Sequence, residues 1–134
     1  NIARHPKDRK KFTVRDFDGK EARTEYSVLE DFRKAALMDV RILTGRTHQI
    51  RVHMKYIKSE VIGDSVYGSA ARDRAISEWL AGKSILLKEL LPRQMLHAAR
   101  VGFLHPYTGK NTVLQAEIPD DFARLLSLLR EKQP

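Results

Sequence analysis

Two short segments of alternating polar and apolar residues constrain the fold more than any other feature of this chain. Residues 23–29 and residues 36–42 each alternate with the two-residue period of a half-buried β-strand. The connection between the two segments is short, which favours a hairpin through residues 30–34. The sequence therefore predicts an antiparallel β-ribbon with one face available for packing.

A helix is predicted directly after this ribbon. Thr47 is the expected N-cap, and Gly45 gives the backbone the freedom to approach the helix start closely. The helix would place Arg51 and Lys55 together on one side. The free N–H groups of its first turn, beside Arg46, would suit a phosphate. An apolar stripe with the i, i+4, i+7 spacing of a buried helical face consists of Ile50, Met54 and Ile57.

The middle of the chain indicates two further helical segments. Residues 70–91 have helical patterning that is interrupted at Gly82, and Pro92 ends the second segment. Both segments carry apolar stripes that are interpreted as core packing. These stripes are Ala75, Ile76, Trp79 and Leu80 in the first segment, and Ile85, Leu86 and Leu90 in the second.

The last third of the chain predicts two strands and a helix. Residues 95–104 alternate between two largely apolar sets, which favours a strand with both faces covered. A turn at 105–110 leads to a returning strand at 113–118, and Pro119 opens a final helix. The residues of that helix expected to face the core are Phe122, Leu125, Leu126 and Leu129. The predicted fold class is α+β, with a mixed, mostly antiparallel sheet and flanking helices.

Basic residues are concentrated in two parts of the chain. Residues 41–58 contain five Lys or Arg and no Asp or Glu, and residues 1–15 contain six basic residues against one Asp. With a net charge of +8 and a pI near 9.9, this distribution favours a polyanionic partner such as RNA. The alternative interpretation is a solvated basic helix face with no ligand. Residues 1–18 are predicted to form a mobile, extended basic arm, and residues 19–134 the ordered portion.

Composition excludes several classes of protein. The chain has no cysteine, so it has no disulfide, thiolate ligand or thiol nucleophile, and a reducing cytoplasm is the expected location. No apolar run approaches the roughly 20 residues that a membrane helix needs. The first residues contain neither an initiator Met nor the apolar core of a signal peptide. The chain is therefore expected to be cut from something longer.

The histidines do not form a metal-ligand pattern. His48 and His53 are five residues apart, whereas two zinc ligands on a helix usually stand four apart. His97 and His105 fall at opposite ends of a predicted strand, so no metal site is expected. A His general base is left open, but no Ser or Asp is placed for a triad, and Asp64 is interpreted as a turn former.

Four motifs stand in a fixed order along the chain. They are Leu-Thr-Gly-Arg-Thr-His-Gln-Ile-Arg-Val-His at 43–53, Gly-Asp-Ser-Val-Tyr-Gly at 63–68, Arg-Gln-Met-Leu-His-Ala at 93–98 and His-Pro-Tyr-Thr-Gly at 105–109. In order and spacing, this set resembles the RluA family of RNA pseudouridine synthases. The resemblance extends to residues 4–11, 19–22 and 118–122, so it covers nearly the whole chain. Residues 57–60 depart from it, because the family more often has a Gly-Pro turn there.

The resemblance implies the pseudouridine synthase fold, with this chain as the C-terminal part of the catalytic domain. It implies an isomerase that converts uridine to pseudouridine in structured RNA, either ribosomal or transfer RNA, without a cofactor. In that reaction the target base is flipped out of its stack. A catalytic Asp acts at the ribose C1′ or its neighbour, and the uracil detaches, rotates and rejoins through C5.

The resemblance also assigns roles to particular residues. Arg51 would pair with the catalytic Asp and keep its carboxylate ionised, and Leu96 would pack beside the uracil. The family's Arg-Leu-Asp motif, which holds that Asp, and its Tyr motif do not occur in this chain. The chain alone is therefore expected to be inactive. The enzymatic interpretation also expects that Arg51 has no acidic partner within the chain, and such a partner would count against it. The residues expected to contact RNA are Arg4, Arg9, Lys10, Lys11, Arg46, His48, Gln49 and Lys55.

Three questions are left open by the sequence. For Arg46, His48 and Gln49, a structural role is as consistent with the pattern as contact with RNA. A stand-alone RNA-binding module of the same fold, or a structural ribosome-associated protein without a base pocket, would share the basic surface. The oligomeric state is not predicted, although unpaired sheet edges invite association.

Overall fold

The computed structural model describes residues 1–81 and 93–132. The fold is α+β, as the sequence predicts. Every strand pair in the described ranges is antiparallel, and the pairs form three two-stranded sheets, β1–β2, β3–β4 and β5–β6, rather than one mixed sheet. The elements are β1 (Ile2–Arg4), β2 (Phe12–Val14), β3 (Thr24–Asp31), β4 (Ala36–Ile42), α1 (Gln49–Tyr56), α2 (Ala70–Ala81), β5 (Arg100–Leu104), β6 (Asn111–Gln115) and α3 (Asp120–Glu131).

The β3–β4 ribbon confirms the prediction made from the two alternating segments. Its register runs from Thr24 opposite Ile42 to Asp31 opposite Ala36, with an irregularity between Val28 and Glu30. The ribbon ends where residues 43–48 lead into α1. The chain thereby returns along the ribbon, so that Gln49 and His53 of α1 lie beside Thr24 at the start of β3.

The predicted free arm over residues 1–18 is wrong, because β1 and β2 form a hairpin in that stretch. Ile2 lies opposite Val14, and its side chain is buried against Val52 of α1 and Tyr67. Phe12 and Val14 pack against the same cluster. The prediction counted the basic residues and overlooked these three apolar side chains, which give the hairpin a face to bury.

The larger core lies between α2 and α3. The predicted apolar face of α3 is confirmed, since Leu125, Leu126 and Leu129 are buried and Phe122 packs beside them. Of the first predicted stripe on α2, Ile76 and Leu80 are buried in this core and Trp79 packs against it. The second stripe, over residues 85–90, and the helix end at Pro92 lie outside the described residues.

The β5–β6 ribbon departs from its prediction. β5 begins at Arg100 instead of residue 95, and all five of its residues are exposed, so it is not a strand covered on both faces. The reason is its pairing, because in the described parts of the chain β5 bonds only to β6. The turn at 105–110 is confirmed, with Gly109 at a φ of +65°. Within the described ranges, none of the helices has both the length and the apolar character needed to cross a membrane.

Candidate active site and nucleic-acid interface

The start of α1 is built differently from the prediction. Thr47 is not the N-cap. That position belongs to His48, whose backbone is left-handed with a φ of +57° and whose side chain makes no capping hydrogen bond. The buried face of α1 consists of Gln49, Val52 and Met54, whereas Ile57 of the predicted stripe is exposed.

Gln49 joins the ribbon to the start of α1. Its side-chain amide oxygen accepts hydrogen bonds from the Thr44 hydroxyl and the Arg46 backbone N–H, at 2.8 and 3.0 Å. Its amide nitrogen donates to the Arg23 carbonyl and the Thr24 hydroxyl, at 2.9 and 3.0 Å. The residue is 4% exposed, and these four bonds use its amide fully. Gln49 therefore positions the backbone, which is the structural role that the sequence left open, and its contact with RNA stays a prediction.

Arg51 of α1 forms a two-point ion pair with Asp64. Arg51 Nε lies 2.7 Å from Asp64 Oδ2, and Arg51 Nη2 lies 2.7 Å from Asp64 Oδ1. The carboxylate is fully buried, and 13% of the Arg51 side chain is exposed. The expectation that Arg51 has no acidic partner within the chain is therefore wrong. A guanidinium carries five N–H groups, and Nη1 of Arg51 makes no hydrogen bond to the described residues.

Asp64 also forms the turn that the sequence predicted. Its Oδ1 accepts hydrogen bonds from the backbone N–H groups of Val66 and Tyr67, both at 2.9 Å. The turn is tight, since a Cβ added to Gly68 would lie 2.3 Å from the Asp64 carbonyl oxygen. This close approach explains why a glycine follows Tyr67. Because the turn former and the ion-pair partner are the same residue, the loop at 63–68 is fixed to α1.

The ion pair stays charged at neutral pH. Burial by itself raises the pKa of Asp64, but the hydrogen bonds from Arg51, Tyr67 and Val66 together hold that pKa below its ordinary value. The hydrogen bonds that Arg51 donates to Asp64 likewise raise the pKa of Arg51. A fully buried carboxylate with these four hydrogen bonds has no surface to offer a substrate. Asp64 is therefore unsuited to be a nucleophile.

Tyr67 lies under Arg51 and connects three elements. The guanidinium carbon of Arg51 is 5.0 Å from the centre of the Tyr67 ring, a distance that suits a cation–π contact. The Tyr67 hydroxyl accepts the N–H of Phe12 in β2 at 2.9 Å and lies 2.9 Å from Nδ1 of His48. The N-terminal hairpin, the loop at 63–68 and α1 therefore meet at one buried tyrosine. No role for Tyr67 is predicted from the sequence, because its position in a loop motif contains no signal of burial.

His48 is held close to neutral by its surroundings. Burial, and then the positive charge of Arg51, lower the pKa of His48 below its ordinary 6.5. A histidine with a lowered pKa contributes stability that is fully present above the unfolded-state value and is lost as the pH falls below it. His53, beside Thr24, has its pKa lowered by burial as well.

The lowered pKa of His48 predicts how the stability of the protein depends on pH. Between about pH 6.5 and pH 5, the free energy of unfolding of the complete protein should fall more for the wild type than for His48→Asn, because the variant has no imidazole to protonate. Asn suits the left-handed backbone at this position. Urea denaturation at several pH values measures the difference. Parallel pH curves for the two proteins would show that His48 does not titrate in this range.

Apart from Arg46, the remaining predicted RNA contacts fall into two groups, one on the N-terminal hairpin and one on α1. Arg4, Arg9, Lys10 and Lys11 belong to the β1–β2 hairpin, where the Arg4 guanidinium lies 5.3 Å from the Phe12 ring centre and donates to the Arg9 carbonyl. On α1, Lys55 donates to the Tyr67 carbonyl at 3.2 Å.

Arg46 and Leu96 stand apart from these groups. Arg46 donates through Nε to the Glu21 carbonyl at 2.8 Å. Leu96 lines an apolar groove of about 650 Å³ together with Ile50 and Met54 of α1, and Arg51 is not among the residues that line it. The structure therefore does not bring the two predicted catalytic residues, Arg51 and Leu96, into one pocket.

Comparison with known proteins shows what this chain is similar to. A family model described as RNA pseudouridylate synthase matches residues 1–56, which include the hairpin, the ribbon and α1. The ribosomal large subunit pseudouridine synthase D of Xanthomonas campestris is 44% identical over 136 residues, covering 97% of this chain and 38% of that protein. Its counterpart in Pseudomonas aeruginosa is 43% identical over 130 residues, covering 97% of this chain and 39% of that protein.

A relative from Aquifex aeolicus, named as an uncharacterized RNA pseudouridine synthase, is 44% identical over 139 residues, covering 99% of this chain and 40% of that protein. The chain belongs to the RNA pseudouridine synthase family, and it spans 38–40% of the length of these three relatives.

Proposed function

We propose that this chain forms one wall of the active site of an RluA-type enzyme that converts uridine to pseudouridine in RNA. The observation that carries the proposal is the Arg51 guanidinium, which is held on two sides by Asp64 and Tyr67 and still has its Nη1 edge unbonded among the described residues. The names of the relatives from Xanthomonas and Pseudomonas favour RNA of the large ribosomal subunit. Transfer RNA is the other candidate substrate, and the cytoplasm is the proposed location.

In the proposed mechanism, Arg51 serves a carboxylate supplied by residues outside this chain. The target uridine is flipped out of its stack, its N1–C1′ bond breaks, and the uracil rotates. A C5–C1′ bond then forms, C5 loses its hydrogen as a proton, and N1 gains a proton. Substrate and product contain the same atoms, so the rearrangement has no need of a redox partner.

The internal ion pair changes how Arg51 acts in this mechanism. Asp64 already neutralises much of the guanidinium charge, so Arg51 contributes less through long-range attraction than through a directed hydrogen bond from Nη1. A hydrogen bond to the charged form of a carboxyl group lowers its pKa and orients its oxygens. Arg51 would thus keep the catalytic carboxylate ionised and aimed, and Asp64 is a positioning residue for Arg51.

Leu96 retains its proposed place beside the uracil. It lies in the apolar groove with Ile50 and Met54, and an apolar wall suits the flat face of a base. Arg51 does not line this groove, so the place of Leu96 beside the uracil rests on the family resemblance. It requires Arg51 and Leu96 to act from different sides of α1.

The reaction itself offers the test. Loss of the C5 hydrogen means that RNA labelled with tritium at uracil C5 releases tritium to water once for every pseudouridine formed. The complete enzyme should release tritium from large-subunit ribosomal RNA, and this chain alone should release none, because the catalytic carboxylate is missing. Absence of tritium release by the complete protein with both ribosomal and transfer RNA would refute the proposed function.

A non-catalytic RNA-binding module is the second candidate function. One observation favours it, namely that Asp64 already pairs with Arg51 inside the chain. A module of this kind needs only phosphate contacts from its basic surface. It differs from the enzyme in one measurable respect, since it would bind RNA and leave the C5 hydrogen in place.

The hairpin lysines give a separate prediction about RNA affinity. Replacing Lys10 and Lys11 with Gln in the complete enzyme should weaken binding to all RNA sequences alike. It should also reduce the slope of log K against log salt by about 0.7–0.9 for each phosphate that the protein no longer neutralises. Lys110→Gln, in the β5–β6 turn, is the matched control and should leave the slope unchanged. Titrations at several salt concentrations measure both, and an unchanged slope in the double variant would show that the hairpin does not touch RNA.

A further inference from the structure

A second concave site lies between the β1–β2 hairpin and the C-terminal half of α1. This hairpin cleft has a volume of about 430 Å³, which falls within the roughly 300–1,000 Å³ of small-ligand pockets. Its apolar floor is formed by Phe12, Val14, Val52 and Tyr67, and its polar side by His5, Asp8, Lys11 and Lys55. The Tyr67 ring lines this floor and also contacts the Arg51 guanidinium, so the cleft adjoins the proposed catalytic arginine.

Two ammonium groups from different elements line the hairpin cleft. Lys55 donates one hydrogen bond to the Tyr67 carbonyl at 3.2 Å, which leaves two of its three N–H groups for another acceptor. Lys11 lies 3.5 Å from Asp8, the one acidic residue that lines the cleft, and both side chains of that pair are 40% exposed. An exposed pair of this kind is weak, so Lys11 can turn to a phosphate at little cost. The balance of formal charge in the cleft is positive.

An exposed aromatic ring stands at the rim of the hairpin cleft. Tyr56, the last residue of α1, is 64% exposed. Tyr56 belongs to neither of the buried clusters in the described residues. Beside cationic side chains, such a ring is the surface on which single-stranded bases stack.

We propose that the hairpin cleft binds one unpaired nucleotide of the RNA, with its base stacked on Tyr56 and its phosphate between Lys11 and Lys55. The inference rests on the proposed function and deepens it, because it places a second nucleotide beside the one that is flipped toward Arg51. The site recognises the strand as single-stranded at this position. It contributes affinity and register, and it takes no part in the chemistry.

The test measures binding apart from turnover. Fluorescence anisotropy with a labelled single-stranded oligouridine gives the Kd of the complete enzyme and of three tyrosine variants. Tyr56→Ala should weaken binding roughly 5- to 150-fold, which corresponds to the loss of one stacked base. Tyr56→Phe keeps the ring and should bind as the wild type does. Tyr107→Ala removes an equally available ring, 94% exposed in the β5–β6 turn, and should have no effect.

Substitution of Lys55 tests the proposed contact with the phosphate. Lys55→Gln should lower the salt slope for the same oligouridine by about 0.7, the value for one phosphate of a single strand. Wild-type affinity of Tyr56→Ala for oligouridine, or an unchanged salt slope of Lys55→Gln, would overturn the proposal. Equal sensitivity of duplex RNA to Tyr56→Ala would overturn the assignment of an unpaired nucleotide.

The two proposals can fail separately. If the complete enzyme releases no tritium from RNA but its oligouridine affinity depends on Tyr56, the hairpin cleft stands and the isomerase assignment falls. If tritium is released at the wild-type rate and affinity is unchanged in Tyr56→Ala, the enzyme assignment stands and the hairpin cleft is refuted.

Discussion

Arg51→Ala in the complete enzyme is expected to lower kcat by about 100- to 1,000-fold, the loss that follows removal of one directed hydrogen-bond donor from an active site. The KM for RNA should change little, because Nη1 of Arg51 serves the catalytic carboxylate and not a phosphate. Single-turnover tritium release gives the rate, and a filter-binding titration gives the affinity. The acid limb of the pH–rate profile should move to higher pH, since the carboxylate loses the hydrogen bond that keeps it ionised.

Two controls separate this effect from simple loss of structure. Arg51→Lys keeps the charge but not the fork, so it should restore folding better than turnover. Arg130→Ala removes the arginine of another two-point fork, in which Arg130 contacts Glu30 through bonds of 2.9 and 2.6 Å. That variant should retain kcat. Equal losses of affinity and turnover in Arg51→Ala would mean that Arg51 is a phosphate contact, and the proposed role would be withdrawn.

Asp64→Ala is expected to have the largest effect on stability of any single substitution in the site. It leaves the partly buried Arg51 without a counter-charge and the N–H groups of Val66 and Tyr67 without their acceptor. Breaking a buried ion pair by removing one partner costs about 3–5 kcal/mol. Urea denaturation of the complete enzyme measures the loss. Turnover of the folded fraction should also fall, because Arg51 is no longer aimed.

The matched control is Glu30→Ala, which breaks the fork at Arg130, where both side chains are more exposed. Its loss of stability should be clearly smaller, and kcat should not change. The pH dependence adds a second criterion. Because the folded-state pKa of Asp64 is lowered, its contribution is present above the unfolded value of about 3.9 and is lost as the pH falls below it. Similar losses in both variants at neutral pH would contradict the special role of the Asp64 fork.

The parts of the fold that the sequence predicted correctly depend on local periodicity. The β3–β4 ribbon and the apolar face of α3 repeat every two and every three to four residues, and each was placed from neighbours a few positions away. The prediction for the start of α1 used the same kind of local pattern and was wrong. Thr47 has the residue type of an N-cap, but the amide of Gln49 satisfies this turn instead, through contacts that reach back to Arg23 and Thr24.

The parts that the sequence could not supply depend on contacts distant in the chain. Arg51 and Asp64 were both singled out, yet nothing in a one-dimensional pattern joins a helix residue to a loop residue thirteen positions later. The N-terminal hairpin was interpreted from its charge, although Ile2 finds its partners in α1 and the loop at 63–68. Family resemblance predicted Arg51 as a site residue, but only the geometry reveals that Asp64 and Tyr67 hold it.

A crystal structure of the complete enzyme would test the central claim most directly, through the distance from Arg51 Nη1 to the nearest carboxylate oxygen outside this chain. The account predicts a separation of about 2.7–3.2 Å, with the Asp64 fork still closed on Nε and Nη2. A guanidinium whose Nη1 faces open water, with every outside carboxylate beyond about 6 Å, would contradict it.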